Sequence, residues 1–219
     1  MKNDSSESFF YEKIFKNYIY KNKICVKNRL FLYDVPHSWY VKVQKKMQIP
    51  NDLLALNSNS GIYAIWMVLQ HYALNIDIER LKQVTSYQED GTFSIGLAVG
   101  LHELGFKVDF FTDEDPAIAD DEKVLYKKAA ALGISIRPSI SLKEIQNALE
   151  LGYFAIVYYD TLEGEGQHSL VYEINNQNIK FFDNYSSMPI QRFEQQRKCE
   201  GICQQVILID GSKFSKIYS

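Results

Sequence analysis

From Gly61 to Leu74 the sequence GIYAIWMVLQHYAL is apolar on nearly every side, with Gln70 and His71 as its clearly polar positions. That is the pattern of a helix buried over most of its surface. Asn57, Ser58, Asn59 and Ser60 stand just ahead of it, residue types that favour N-caps and turns. Asp77 caps a shorter amphipathic helix over 78–84, and residues 94–104 read as a third helix closed by Gly105. A β-prone run at 106–111 follows, then a helix over 123–132 that ends at Gly133. Ser141 with Glu144 three residues on makes a capping box for a helix in which Leu142, Ile145 and Leu149 share a face and which Gly152 terminates. Beyond it lie strand candidates at 153–159, 168–174, 179–183 and 205–209, with a polar loop at 160–167 and a turn at 175–178. Helices first and consecutive antiparallel strands afterwards predict an α+β fold, a buried central helix packed on an antiparallel β-sheet.

Texture divides the chain into an N-terminal extension over 1–49, Lys- and Tyr-rich with a break at Val35-Pro36, a main domain over 50–210 and a polar tail over 211–219. Lys and Arg total 24 against 27 for Asp and Glu, a net charge of −3, so there is no basic field to hold a polyanion and nucleic acid is not an expected partner. No apolar stretch approaches the ~20 residues of a membrane span, and the start lacks a secretion signal. The expected location is cytoplasmic, or outside the cell after export without a cleaved signal peptide, as for a secreted bacterial effector. Cys25, Cys199 and Cys203 are an odd set, which argues against a disulfide framework. The Cys199–Cys203 spacing has no His or Cys pair to complete a zinc site, and no metal is expected.

Chemistry concentrates at two places. With Asn176-Gln177 at the centre of the turn, Asp183 falls opposite Leu170, and the alternation of side chains makes it the diagonal neighbour of His168 on one sheet face. A carboxylate in reach of an imidazole is what a general base needs; the plainer alternative is a hairpin with two unrelated polar residues facing solvent. Ser60-Gly61 opens the buried helix, where unpaired N–H groups favour a nucleophile and an oxyanion, and where a serine also serves as a plain N-cap. Gly61 allows close approach of backbone and substrate. His71 reads as an interior histidine, and His102-Glu103 lacks the second histidine of a zinc-protease helix. Gly164 to Gln167 read as a lip over the cleft, and the acidic residues at 113–115 and 120–122 as a solvated loop that would favour a basic substrate tail.

The segment SGIYAIWMVLQHYA resembles the nucleophile helix of the C39-like branch of the papain-like cysteine peptidases, in register at Gly61, Ala64, Met67, Val68, Leu69 and Tyr72. Gly91-Thr92, GLAVGLHELGFKVDFF, SLKEIQNALELGYFAIVYYD, GQHSLVYEI and IKFFDN follow in the family's order. The resemblance implies a papain-like fold over about 50–210, with position 60 as nucleophile, His168 as base then acid, and Asp183 as its orienter. The position-60 N–H with Asn57 or Asn59 would meet the oxyanion, and Gly61 and Gln167 would border the substrate. The implied activity is hydrolysis or acyl transfer at a peptide or protein amide, without metal or organic cofactor; oligomeric state is left open.

Three departures qualify it. Position 60 is Ser where the family has Cys, Leu54 stands where its oxyanion Gln falls, and Asn184 follows Asp183 where Pro is common. A thiol of pKa ~8.5 is a few per cent thiolate at neutral pH, and a helix terminus worth ~0.3–1 kcal/mol, up to ~2, does not lift a hydroxyl to that reactivity. An inactivating Cys→Ser replacement, a natural pseudoenzyme and a working serine variant all stay open, as does the opposing class, a non-catalytic peptide- or protein-binding module.

Overall fold

The apolar run after Asn59 folds as a helix because eight of its residues, Gly61, Ile62, Ala64, Ile65, Trp66, Met67, Val68 and Leu69, find cover on several sides at once. A computed structural model of the chain describes residues 49–161, 163–182 and 187–211. Compactness separates Met1–Pro50 from Asn51–Ser219, and the described elements all belong to the second unit. Residues 1–48 of the expected extension, Cys25 included, and 212–219 of the expected tail lie outside the described residues.

Among the described residues the helices are α1 (Asn51–Leu54), α2 (Ser60–His71), α3 (Ile78–Thr85), α4 (Ser94–Glu103), α5 (Asp120–Ala131), α6 (Leu142–Glu150) and α7 (Ile190–Gln196). The strands are β1 (Lys107–Phe111), β2 (Ser135–Arg137), β3 (Phe154–Asp160), β4 (Gly166–Ile174), β5 (Asn178–Phe181), β6 (Met188–Pro189) and β7 (Val206–Asp210). The local signals behind them are visible in the side chains. Asp77 accepts from the Glu79 N–H to cap α3, and Ser141 and Glu144 complete both halves of the capping box on α6. α2 stops at His71, three residues short of the expected end, where Ala73 turns to φ 53°.

The sheet runs β2-β1-β7-β3-β4-β5-β6. It is antiparallel except at one edge, where β1 and β2 are parallel because α5 crosses between them. The last strand in sequence, β7, lies between β1 and β3 with all five residues buried, so it joins the strand that follows the helices to the hairpins that come later. One sheet face, with Ala155, Val157, Val171, Phe181 and Leu208, packs on α6 and α7. α2 packs on β4, and α4 on β1 and β7. The architecture is mixed α+β, with a seven-stranded sheet and the buried helix α2 against it.

The β4–β5 hairpin starts in the expected register, Ile174 opposite Ile179 and Glu173 opposite Lys180. A bulge at Tyr172 then slips the pairing by one: Val171 faces Phe181, and the Phe182 N–H donates to Leu170 O at 2.9 Å. Phe182 therefore takes the place opposite Leu170 that an unbroken ladder gives to Asp183. An extra residue in one strand shifts the register beyond it, so among the described residues the pairing expected from the turn holds as far as Glu173. Asp183 itself lies outside the described residues.

α3 and α4 cross at small residues. A Cβ on Gly96 would stand 2.6 Å from Thr85 O, and one on Gly100 2.8 Å from Thr85 Cγ2. In an ordinary helix interior Gly→Ala stabilises by up to ~1 kcal/mol, whereas here the new methyl meets backbone. Gly96→Ala is expected to destabilise by about 1–3 kcal/mol in urea unfolding, the usual cost of overpacking; a gain in stability would show that the helices do not approach this closely.

Candidate active site

β4 and the first turn of α2 meet at His168. The ring is 5% exposed and stacks on Tyr158, its cross-strand partner, with centroids 4.5 Å apart. Gly166 makes room for that pairing, because a Cβ there would run into the Tyr158 hydroxyl. Gly61 makes room on the other side: a Cβ on it would stand 2.9 Å from Leu97 Cδ1 and 3.4 Å from His168 Nδ1. The glycine expected to admit substrate is thus first needed to admit a leucine and the imidazole.

Ser60 and His168 are brought together, but not hydroxyl to ring. The main-chain N–H of His168 donates to Ser60 Oγ at 3.2 Å. The ring nitrogen that faces the start of α2 is Nδ1, and the other, Nε2, lies 2.8 Å from Ser94 Oγ. Ser94 is 3% exposed, and Nε2 is the one described partner of its hydroxyl. A buried O–H seeks an acceptor, which assigns Ser94 as donor and leaves the ring proton on Nδ1.

The other expected site residues are spread out. Asn59 turns its side-chain amide back to donate to Leu53 O at 3.1 Å, tying α1 to α2, and leaves the N-terminus of α2 without a side-chain cap. Asn57 is exposed, and its carbonyl accepts from the Tyr87 hydroxyl. Gln167 belongs to β4 rather than to a loop, and the pleat turns it to the opposite face from His168. The Asn59 amide is thus committed away from His168.

A cavity of about 300 Å³ opens beside the imidazole, walled by Ser94, His168 and Tyr158 on one side and by Asp90, Asp115 and Glu122 on another. Ser60 is not part of its wall. Glu122 was expected on a solvated loop; it sits instead in the first turn of α5, buried, with its pKa pushed up to about 7 by desolvation and then by Asp115 and Asp121. Ser94 and Tyr158 line this cavity without having been singled out in the sequence, whereas Glu122 was read there as part of an acidic loop. The Gly91-Thr92 pair was the available pointer to Ser94, since it leads directly into the uncapped start of α4.

The thiols do not rival this centre. Cys199 and Cys203 lie in the turns after α7, a helix where a Gln/Arg-rich loop was expected, and both are pushed up in pKa, first by desolvation. Among the described residues no group of three or more His, Cys, Asp or Glu side chains is placed to hold a metal ion, and no helix is long and apolar enough to cross a membrane.

Residues 55–131, from just ahead of Ser60 to the end of α5, match the model of the Peptidase C39 family. That segment of the chain is C39-like, with Ser at position 60. The crystal structure of the peptidase domain of Streptococcus ComA, a bi-functional ABC transporter involved in a quorum sensing pathway, aligns with 17% identity over 74% of this chain and 94% of that one, at a TM-score of 0.47. No curated protein matches.

Burial lowers His168 to about 3 and His71, edge-on to Phe154, to about 4. Both groups have folded values below their unfolded 6.5, so the stability they contribute is complete above pH 6.5 and is lost as pH falls toward 3 to 4. Glu122 has the opposite sign: its contribution is complete below 4.5 and is lost as pH rises through about 7. The urea midpoint is expected to fall steadily from pH 6.5 to 4, and Glu122→Gln to raise Tm by a few degrees at pH 8 while changing it little at pH 4.5. A flat profile from 6.5 to 4, or no gain from Glu122→Gln at pH 8, would place these side chains in water.

Proposed function

We propose that the domain performs peptidase-type acyl chemistry on a peptide or protein amide, with His168 as base and then acid and position 60 as the point of attack. The observation that carries this reading is the C39 family match over 55–131, which includes Ser60 and the whole of α2. Main-chain N–H groups at the start of α2 would receive the oxyanion, and the helix N-terminus would favour the charge that develops there. Asp183 would orient the imidazole, as the resemblance implies. Acyl transfer of this type runs without metal or organic cofactor.

A hydroxyl at position 60 needs strong help from the base, and it meets the main-chain N–H of His168 rather than the ring. That contact favours a second reading, a peptide- or protein-binding module that keeps the cleft and not the reaction.

Ser60→Cys distinguishes the two. If the site assembles for catalysis, iodoacetamide alkylates the new thiol at least ~10-fold faster than Cys199 and Cys203 at pH 7, the advantage disappears in Ser60→Cys/His168→Ala, and a peptide library is cleaved or acylated. A new thiol that reacts like the others whether or not His168 is present would replace the enzyme reading with the binding module.

A further inference from the structure

We propose that Ser94 is a nucleophile in its own right, paired with His168 as a serine-type acyl-transfer centre that opens on the cavity between β3, β4 and α4. The hydroxyl stands 2.8 Å from Nε2, within the distance at which a serine proton passes to its base. Ser60 lacks that contact, and Ser94 and His168 border the same 300 Å³ space, which Ser60 does not.

The surroundings supply the remaining parts. Ser94 is the first residue of a ten-residue helix whose N-cap, Phe93, offers no side-chain acceptor. The first N–H groups of a helix have no partner inside it, and of these the N–H of Ser94 belongs to a residue of the cavity wall. That N–H would serve as an oxyanion donor beside the attacking atom. Thr92, also of this wall, has its hydroxyl buried without a hydrogen-bond partner. The acyl group that fits is small, since the volume lies at the lower end of the ~300–1,000 Å³ usual for ligand sites. It is also cationic, since Asp90, Asp115 and Glu122 contribute carboxyl groups and, among the described residues, no Lys or Arg borders the space.

The step balances with an ester or amide and water. Ser94 Oγ bonds to the carbonyl carbon as its proton moves to Nε2; the bond from that carbon to the leaving oxygen or nitrogen breaks, and the leaving atom takes the proton. Water then adds to the acyl carbon, giving a proton to Nε2, and Oγ departs with it. This use of the imidazole is distinct from attack at position 60 and excludes it at any one moment, because Ser94 needs the lone pair on Nε2 and Ser60 needs it on Nδ1.

The test treats the full chain with a small aminoalkyl fluorophosphonate, whose phosphorus takes a serine oxygen and releases fluoride, and locates the adduct by tandem mass spectrometry. One adduct on Ser94 is expected, formed at least ~100-fold more slowly in His168→Ala. Mapping on the unsubstituted chain needs no variant to fold, and Ser94→Cys, nearly the same size, should gain a thiol that iodoacetamide reaches and that depends on His168. An adduct on Ser60 alone, labelling at Ser94 indifferent to His168, or no adduct at all would overturn the proposal. Failure of Ser60→Cys to activate, with Ser94 still labelled, would remove the position-60 reading and leave this one standing.

Discussion

One imidazole, buried where two helices begin, sets the terms for the rest of the site. His168 is held by its stack on Tyr158, by Ser94 at Nε2, and by the start of α2, which supplies an acceptor for its main-chain N–H. Each hold depends on an element from a different part of the chain, β3, α4 and α2. The glycines nearest the ring, Gly61 and Gly166, are small because the neighbours that fix the ring occupy the space a Cβ would fill. Burial of this kind costs the charged form, and the ring stays neutral well below the usual histidine range.

A neutral imidazole with a hydroxyl on either side is a single base for which two serines compete. A cysteine at position 60 would supply its own nucleophilicity and ask little of the ring; a serine there asks for full deprotonation assistance. The Ser94 contact makes that assistance harder to give, since it occupies Nε2 and leaves the proton on the nitrogen that faces Ser60.

Much of this fold is legible in the sequence because its signals are local. The all-round apolar surface of α2, the cap at Asp77, the capping box at Ser141 and the left-handed glycines that end α4, α5 and α6 each follow from a few neighbouring residues. The two-residue β6 and three-residue β2 carry too little pattern to be read, and the parallel edge depends on where α5 carries the chain. The bulge at Tyr172 is equally hidden, because one extra residue shifts a register that is correct at the turn. Position 60 and His168 were legible through their resemblance to a family. Ser94 was not, since a serine opening a helix looks like a cap until tertiary structure places an imidazole against it, and Glu122 looks solvated until α5 folds over the cavity.

The most direct measurement of this account is a long-range 15N–1H correlation spectrum of the histidine side chains, followed from pH 8 to pH 4 with His168 assigned by substitution. The account predicts a neutral His168 throughout, with its proton on Nδ1 and Nε2 unprotonated against Ser94. A ring that titrates near 6.5, or one that carries its proton on Nε2, would contradict it.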